Sequence, residues 1–143
     1  MKFDLVHELM NFQQSYSDAE YRDLLLGKLI EEGVCDFLVS TLNENNQVSP
    51  AVQRNLDYLE EPGNFKFLMN ELKRDIYGED LSKWMYNGGG IQDRPSNLGY
   101  TMGYLICKSY YENCTDKGTS IFELLNTSDF KRIIEEIEFK EIL

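Results

Sequence analysis

The sequence predicts an all-α fold, and three observations lead to that prediction. Apolar residues recur at three- and four-residue spacing along most of the chain. The strict alternation of a half-buried strand never persists beyond a few residues, and capping residues precede several of the periodic segments. The chain has 143 residues, the size of one ordinary domain, and 42% of them are hydrophobic. We therefore expect a single helical domain over residues 1–143, with about six to eight helices.

In the first half of the chain, each predicted helix begins near a capping residue. These helices cover residues 2–15, 18–32 with a continuation beyond Gly33 to about 42, 50–61 and 65–76. Ser17-Asp18 is the predicted cap of the second helix and Ser49 that of the third. Pro50 suits the first helical position, because the N–H that it lacks would find no partner inside the helix there.

The second half is predicted to be helical on both sides of a glycine-rich loop. Its predicted helices cover residues 81–86, 98–113, 121–125 and 130–138. Asn97, Thr119-Ser120 and Ser128 are predicted to open the last three of them. Residues 87–95 contain three successive glycines and are predicted to form a loop.

Charge and hydropathy exclude several classes of function. The chain has 14 Lys and Arg against 25 Asp and Glu, a net charge of −11. Such a surface repels phosphate backbones and anionic lipid, so we expect no nucleic-acid partner. No segment approaches the roughly 20 apolar residues of a membrane span, and residues 1–8 do not resemble a signal peptide. We expect a peptide or protein partner and, for the chain as written, a cytoplasmic location. Cys35 and Cys107 lie among apolar residues and are predicted to be buried free thiols.

His7 is the only histidine of the chain, and it heads the segment His-Glu-Leu-Met-Asn on the first predicted helix. In the zinc peptidase signature His-Glu-x-x-His, two histidines one helical turn apart bind the metal, and the glutamate deprotonates a bound water. Glu8 matches that glutamate, but Asn11 stands where the second histidine belongs, and an amide oxygen is a poor zinc ligand. Alone, the segment is more typical of a helix surface that carries one His and one Glu than of a metal site.

Glu32 opens the segment Glu-Gly-Val-Cys-Asp-Phe, one predicted helix further along the chain. In many peptidases of the Glu-zincin class, a following helix supplies the third metal ligand from a segment resembling Glu-Gly-apolar-small. Glu32 matches that ligand. Asp36, one turn later, is placed to orient a metal ligand without binding the metal itself. The alternative is a solvated acidic face, because Glu31 and Glu32 are adjacent and cannot both point inward.

Two glycines and two tyrosines repeat at four-residue spacing on the predicted helix 98–113. Gly99 and Gly103 would let a neighbouring helix approach closely, at a propensity cost of about 1 kcal/mol each. Tyr100 and Tyr104 are interpreted either as core residues with bonded hydroxyls or as oxyanion donors in a cleft.

Together and in this order, these segments resemble a family of predicted zinc-dependent proteases, the DUF2268 type, with which the bacterial gliding-motility lipoprotein B family is associated. The matching stretches are residues 7–14, 32–37, 84–88 and 95–106, and the resemblance spans about residues 5 to 125. It implies the helical half of a zinc metallopeptidase. Carried over by position, His7 and Glu32 would be metal ligands, Glu8 the general base and Tyr100 or Tyr104 the oxyanion donor.

Three functions remain open from the sequence. The first is a degenerate or truncated zinc metallopeptidase-like domain with little or no proteolysis, holding zinc weakly or not at all through His7, Glu32 and Asn11. The second is a small acidic helical binding or inhibitor-type protein with no metal chemistry. The third is an active zinc protease completed by an N-terminal region, which would also make the protein extracytoplasmic. In peptidases of this class a strand layer precedes the motif helix and pairs with the substrate. Without that layer, we expect the exposed face to be covered in a homodimer.

Overall fold

The computed structural model describes residues 3–16 and 19–137, and these residues form helices, turns and loops without a β-strand. Seven α-helices follow one another in the described chain: α1 Phe3–Asn11, α2 Leu25–Leu42, α3 Pro50–Glu60, α4 Asn64–Asp75, α5 Leu98–Asn113, α6 Lys117–Asn126 and α7 Phe130–Glu135. A 3-10 turn at Glu44–Asn46 lies between α2 and α3. The predicted all-α class is confirmed for these residues. None of the described helices is long and apolar enough to cross a membrane.

The long helices α2 and α5 pack against each other at the centre of the molecule and contribute most of its buried side chains. Gly33 of α2 faces Gly103 of α5. A Cβ atom on Gly33 would lie 2.1 Å from the carbonyl carbon of Gly103, and one on Gly103 would lie 1.9 Å from the carbonyl oxygen of Leu29. The two backbones therefore touch at a distance that only glycine permits.

The structure of α2 differs from the prediction in two places, its first residue and the position of Gly33. The helix begins at Leu25 rather than 18, because Tyr21 adopts a left-handed φ of 66° that a helix cannot contain. Its first N–H groups, those of Leu25 and Leu26, donate to the carbonyls of Gly78 and Ile76 after α4, both at 2.9 Å. Gly33 does not interrupt the helix, since its role is the close contact with α5. The predicted cap Ser17-Asp18 lies outside the described residues.

Several other helices begin or end at residues different from those predicted. Residues 81–86 form turns instead of a short helix, and α1 ends at Asn11 instead of 15. Helix α6 begins earlier than predicted, because the Asp116 carboxylate accepts from the Thr119 N–H at 2.9 Å. Asp129, not Ser128, caps α7, and the predicted end of that helix at 138 lies outside the described residues. Helices α3 and α5 begin where the sequence predicts, and Ser49 caps α3.

Helix α1 lies on the outside of α2, and none of its residues is buried. Its apolar residues Leu5 and Leu9 are exposed by 58% and 52%, and Phe12, in the turn that follows, is exposed by 82%. Met10 of α1 is partly buried and packs against the core, but the helix contributes no fully buried residue, unlike α2 and α5. Cys35 and Cys107 are free and buried, as the sequence predicts.

Candidate functional site

A cleft of about 530 Å³ lies between α1, α2, the first turns of α3 and the first turn of α5. All three segments singled out in the sequence reach it, although they are separated by up to about ninety residues of chain. The predicted residues that line it are His7, Glu8, Asn11, Glu32, Asp36 and Tyr100. The fold thus brings nearly all the sequence-predicted site residues to one place.

His7 lies between two carboxylates of α2. Its Nε2 is 2.9 Å from Glu32 Oε2, and its Nδ1 is 3.0 Å from Asp36 Oδ1. Glu32 and Asp36 are one helical turn apart, so both face α1. An imidazole donates from both nitrogens only when it is protonated. The hydrogen bond to Asp36, and after it the one to Glu32, raises the pKa of His7 to about 10. His7 is therefore an imidazolium at neutral pH.

Asn11, one turn after His7, is engaged by a thiol of α2. Its Oδ1 accepts a hydrogen bond from Cys35 Sγ at 3.0 Å. Cys35 is fully buried, and this burial raises the pKa of its thiol, which stays protonated and able to donate. Gln14 donates from its side-chain amide to the carbonyl of Glu31. The end of α1 is thereby fixed to α2 by polar contacts.

This donor set fits zinc poorly. A histidine binds zinc through a deprotonated ring nitrogen, whereas the two carboxylates hold His7 in its protonated form. Asp36 and Glu32 engage both ring nitrogens of His7, so neither is free for a metal, and the position of the second histidine holds the amide of Asn11. Within residues 3–16 and 19–137, no three His, Cys, Asp or Glu side chains are arranged to hold a metal ion. His7 and Glu32 do come together as predicted, but as an ion pair.

The remaining predicted residues have different surroundings. Glu8 is an exposed residue of the cleft, next to His7 on α1. Tyr100 also lines the cleft, and burial followed by the charge of Glu32 raises its pKa to about 12. Tyr104 is only 6% exposed and packs in the core, with its ring centroid 6.5 Å from that of Phe37. Of the two tyrosines, Tyr100 alone is among the described residues that line the cleft.

Asn55 of α3 is a site residue that sequence reasoning missed. It is 2% exposed, and it lines the cleft. Its Nδ2 donates to Thr101 Oγ1 at 3.2 Å and to the Ser96 carbonyl at 3.3 Å, while its Oδ1 has no partner among the described residues. The signal was present in the sequence, since Asn55 lies on the same helix face as Val52 and Leu59.

Tyr86 was also missed as a cleft residue. It lies at the edge of the cleft with a left-handed φ of 58° and is 64% exposed. Two asparagines hold this loop: the Asn87 N–H donates to Asn97 Oδ1 at 2.9 Å, and the Asn97 N–H donates to Asn87 Oδ1 at 2.5 Å. The Tyr86 ring meets the Tyr100 ring edge-on, with centroids 6.3 Å apart. Asn97 therefore closes the loop instead of capping α5.

Comparison with protein-family models, curated proteins and solved structures finds no match to this chain. The family resemblance accordingly rests on the sequence motifs and their order alone.

Proposed function

We propose that this chain is a metallopeptidase-like helical domain that has lost zinc-dependent proteolysis and uses its cleft to bind a peptide or protein. One observation carries the proposal: the His7 imidazolium is shared by Glu32 and Asp36 while the Asn11 amide is engaged by Cys35. The residues at the positions of metal ligands are thus used to join α1 to α2.

The loss of zinc-dependent hydrolysis follows from the number of protein ligands available to the metal. A catalytic zinc site needs three protein ligands and one open position for water. Here His7 and Glu32 supply two strong donors at most, and zinc would have to displace the proton that both carboxylates stabilise. Weak zinc binding or none is expected, and with it little or no hydrolysis.

The retained cleft supports the binding role. Its volume of about 530 Å³ lies within the range of ligand sites. Its lining comes from four helices and the Tyr86 turn, which the central contact between α2 and α5 holds in place. A binding surface survives the loss of a metal ligand, because it depends on this scaffold and not on the metal.

The experiment is zinc titration by calorimetry with metal analysis, on the wild-type chain and on Asn11→His. We expect no zinc above background for the wild type and one zinc per chain for Asn11→His. Asn11→Ala is the matched control, since it removes the amide without adding an imidazole. Tight binding of one zinc by the wild type, together with hydrolysis of a peptide, would overturn the proposal and support the active protease instead.

A second candidate is a small acidic binding or inhibitor-type protein without metal chemistry. The net charge of −11 favours it, because acidic surfaces speed association with basic proteins. The exposed Leu5 and Leu9 on α1 and Phe12 in the following turn also favour it, because exposed apolar residues anchor such a complex. Absence of zinc binding by both the wild type and a folded Asn11→His would favour this candidate over the first.

A further inference from the structure

The cleft carries a surplus of negative charge that His7 does not cancel. Asp4, Glu8, Glu32 and Asp36 line it, against the protonated His7 and Arg54 as the cations of the lining. Four carboxylates therefore face two basic side chains in the lining, and Glu32 and Asp36 are partly buried, where low-dielectric walls focus the field. The electrostatics of the cleft therefore favour a cationic group.

The second, independent observation is the unpaired oxygen of Asn55. This side chain is almost completely buried beside the cleft, and its orientation is fixed because Nδ2 is surrounded by the oxygens of Thr101 and Ser96. Oδ1 of this cleft-lining residue is buried, and no described group donates a hydrogen bond to it. A buried acceptor of this kind needs a donor, and a ligand N–H would supply one.

An aromatic wall completes the site. Tyr86 is exposed at the cleft edge despite a backbone conformation that is costly for a bulky residue, and its ring stands edge-on to Tyr100. Tyrosine faces attract cations through the ring quadrupole. Acceptors, carboxylates and an aromatic face together are the groups that recognise an organic cation.

The hydrogen bonds of His7 decide between an ammonium and a guanidinium. A guanidinium binds best when one carboxylate offers it both oxygens. Glu32 and Asp36 each already accept from His7 with one oxygen, so a bidentate guanidinium would have to share that oxygen with the imidazole. An ammonium donates three separate hydrogen bonds and needs only single acceptors on different elements.

We propose that the cleft binds an alkylammonium group, such as the side chain of a lysine in a peptide, between the free oxygens of Glu32 and Asp36, the ring of Tyr86 and Oδ1 of Asn55. The inference rests on the proposed function, because it gives the chemical class of the ligand that the cleft takes once zinc is lost.

The test is a titration of the full chain, followed by NMR, with Nα-acetyl-lysine methylamide and its uncharged counterpart Nα-acetyl-norleucine methylamide. We expect the lysine compound to bind about tenfold or more tightly, since the two differ by the ammonium alone. The arginine analogue should bind more weakly than the lysine one, and higher salt should weaken both. A titration with spermidine distinguishes a free polyamine from a peptide side chain as the ligand.

Two variants test whether the amine binds in the cleft. Tyr86→Gly removes the aromatic wall and relieves the left-handed backbone, so it should fold normally and lose about fivefold in affinity. Phe67→Ala, an exposed aromatic residue of α4 outside the cleft lining, is the matched control and should leave affinity unchanged.

Equal binding of the lysine and norleucine compounds, or no binding of any amine by a wild-type chain that also fails to bind zinc, would overturn this inference alone. Tight zinc binding by the wild type would overturn the proposed function, whichever amine is bound.

Discussion

Two of the contacts that α2 makes, with α5 and with α1, involve different kinds of residue. Toward α5 it presents glycine and apolar residues, and the backbones touch at Gly33 and Gly103. Toward α1 it presents Glu32, Asp36 and Cys35, which bind polar side chains of a helix without a buried residue. One face of the helix is an ordinary core, and the other is a set of charged and polar hydrogen bonds.

The difference indicates where each kind of stability comes from. Close apolar packing is insensitive to pH and salt and depends on shape. A contact made by a charged imidazole depends on its protonation and on both partners remaining paired. We therefore expect the free energy of local opening between α1 and α2 to be lower than that between α2 and α5.

Gly103→Ala should have the largest effect of the changes considered. Its Cβ would overlap the Leu29 carbonyl oxygen, so α2 and α5 must move apart, and we expect a loss of about 3 kcal/mol in the free energy of unfolding. Denaturant unfolding measures this loss. Gly89→Ala is the control, since nothing lies within 4 Å of its Cβ position, and it should change stability by less than about 0.5 kcal/mol. Equal effects at the two positions would contradict the close contact.

His7→Gln should cost less, about 2 kcal/mol, because it removes the charge that pairs two carboxylates. The loss should appear first as faster amide hydrogen exchange in α1, with α5 unchanged. Glu8→Gln is the control at the neighbouring exposed position. Uniformly faster exchange across α1 and α5 would show that the two contacts break together.

The buried thiols report on the same comparison with a smaller expected effect. Cys35 is joined to Asn11 of α1, whereas Cys107 lies between α2 and α5, where its thiol faces the Ile30 carbonyl. Cys35 should therefore react with a thiol reagent about tenfold faster than Cys107 in the native protein, because only α1 has to leave. Partly exposed Cys114 should react before both. Identical rates for Cys35 and Cys107 would mean that both are released by global unfolding alone.

The smallest and most local prediction concerns the pKa of His7, which NMR can follow without overlap because the chain has one histidine. We expect a value near 10, lowered more by Asp36→Asn than by Glu32→Gln, since the Asp36 bond contributes most. The folded pKa exceeds the unfolded value of 6.5, so the stabilisation from His7 is complete below pH 6.5 and is lost as the pH rises toward 10. A pKa close to 6.5 would exclude the paired imidazolium.

Periodicity was enough to predict the helical class and the position of α5, because the apolar pattern of a buried helix is local information. It failed at the beginning of α2, where Tyr21 turns the chain and carbonyls from after α4 receive the first N–H groups. That His7, Glu32 and Asp36 would meet was expected from the resemblance to zinc peptidases. The roles of Asn55 and Tyr86 did not, because they depend on how α3 and the loop before α5 approach the cleft.

The contact between Asn11 and Cys35 also has a consequence for what one substitution at Asn11 would create. Asparagine and histidine codons differ by one base, so one nucleotide change would place an imidazole one helical turn from His7 and directly beside the Cys35 thiol. That neighbour is itself a good ligand for soft metals. That single change would bring two imidazoles, the Glu32 carboxylate and the Cys35 thiol into one donor set.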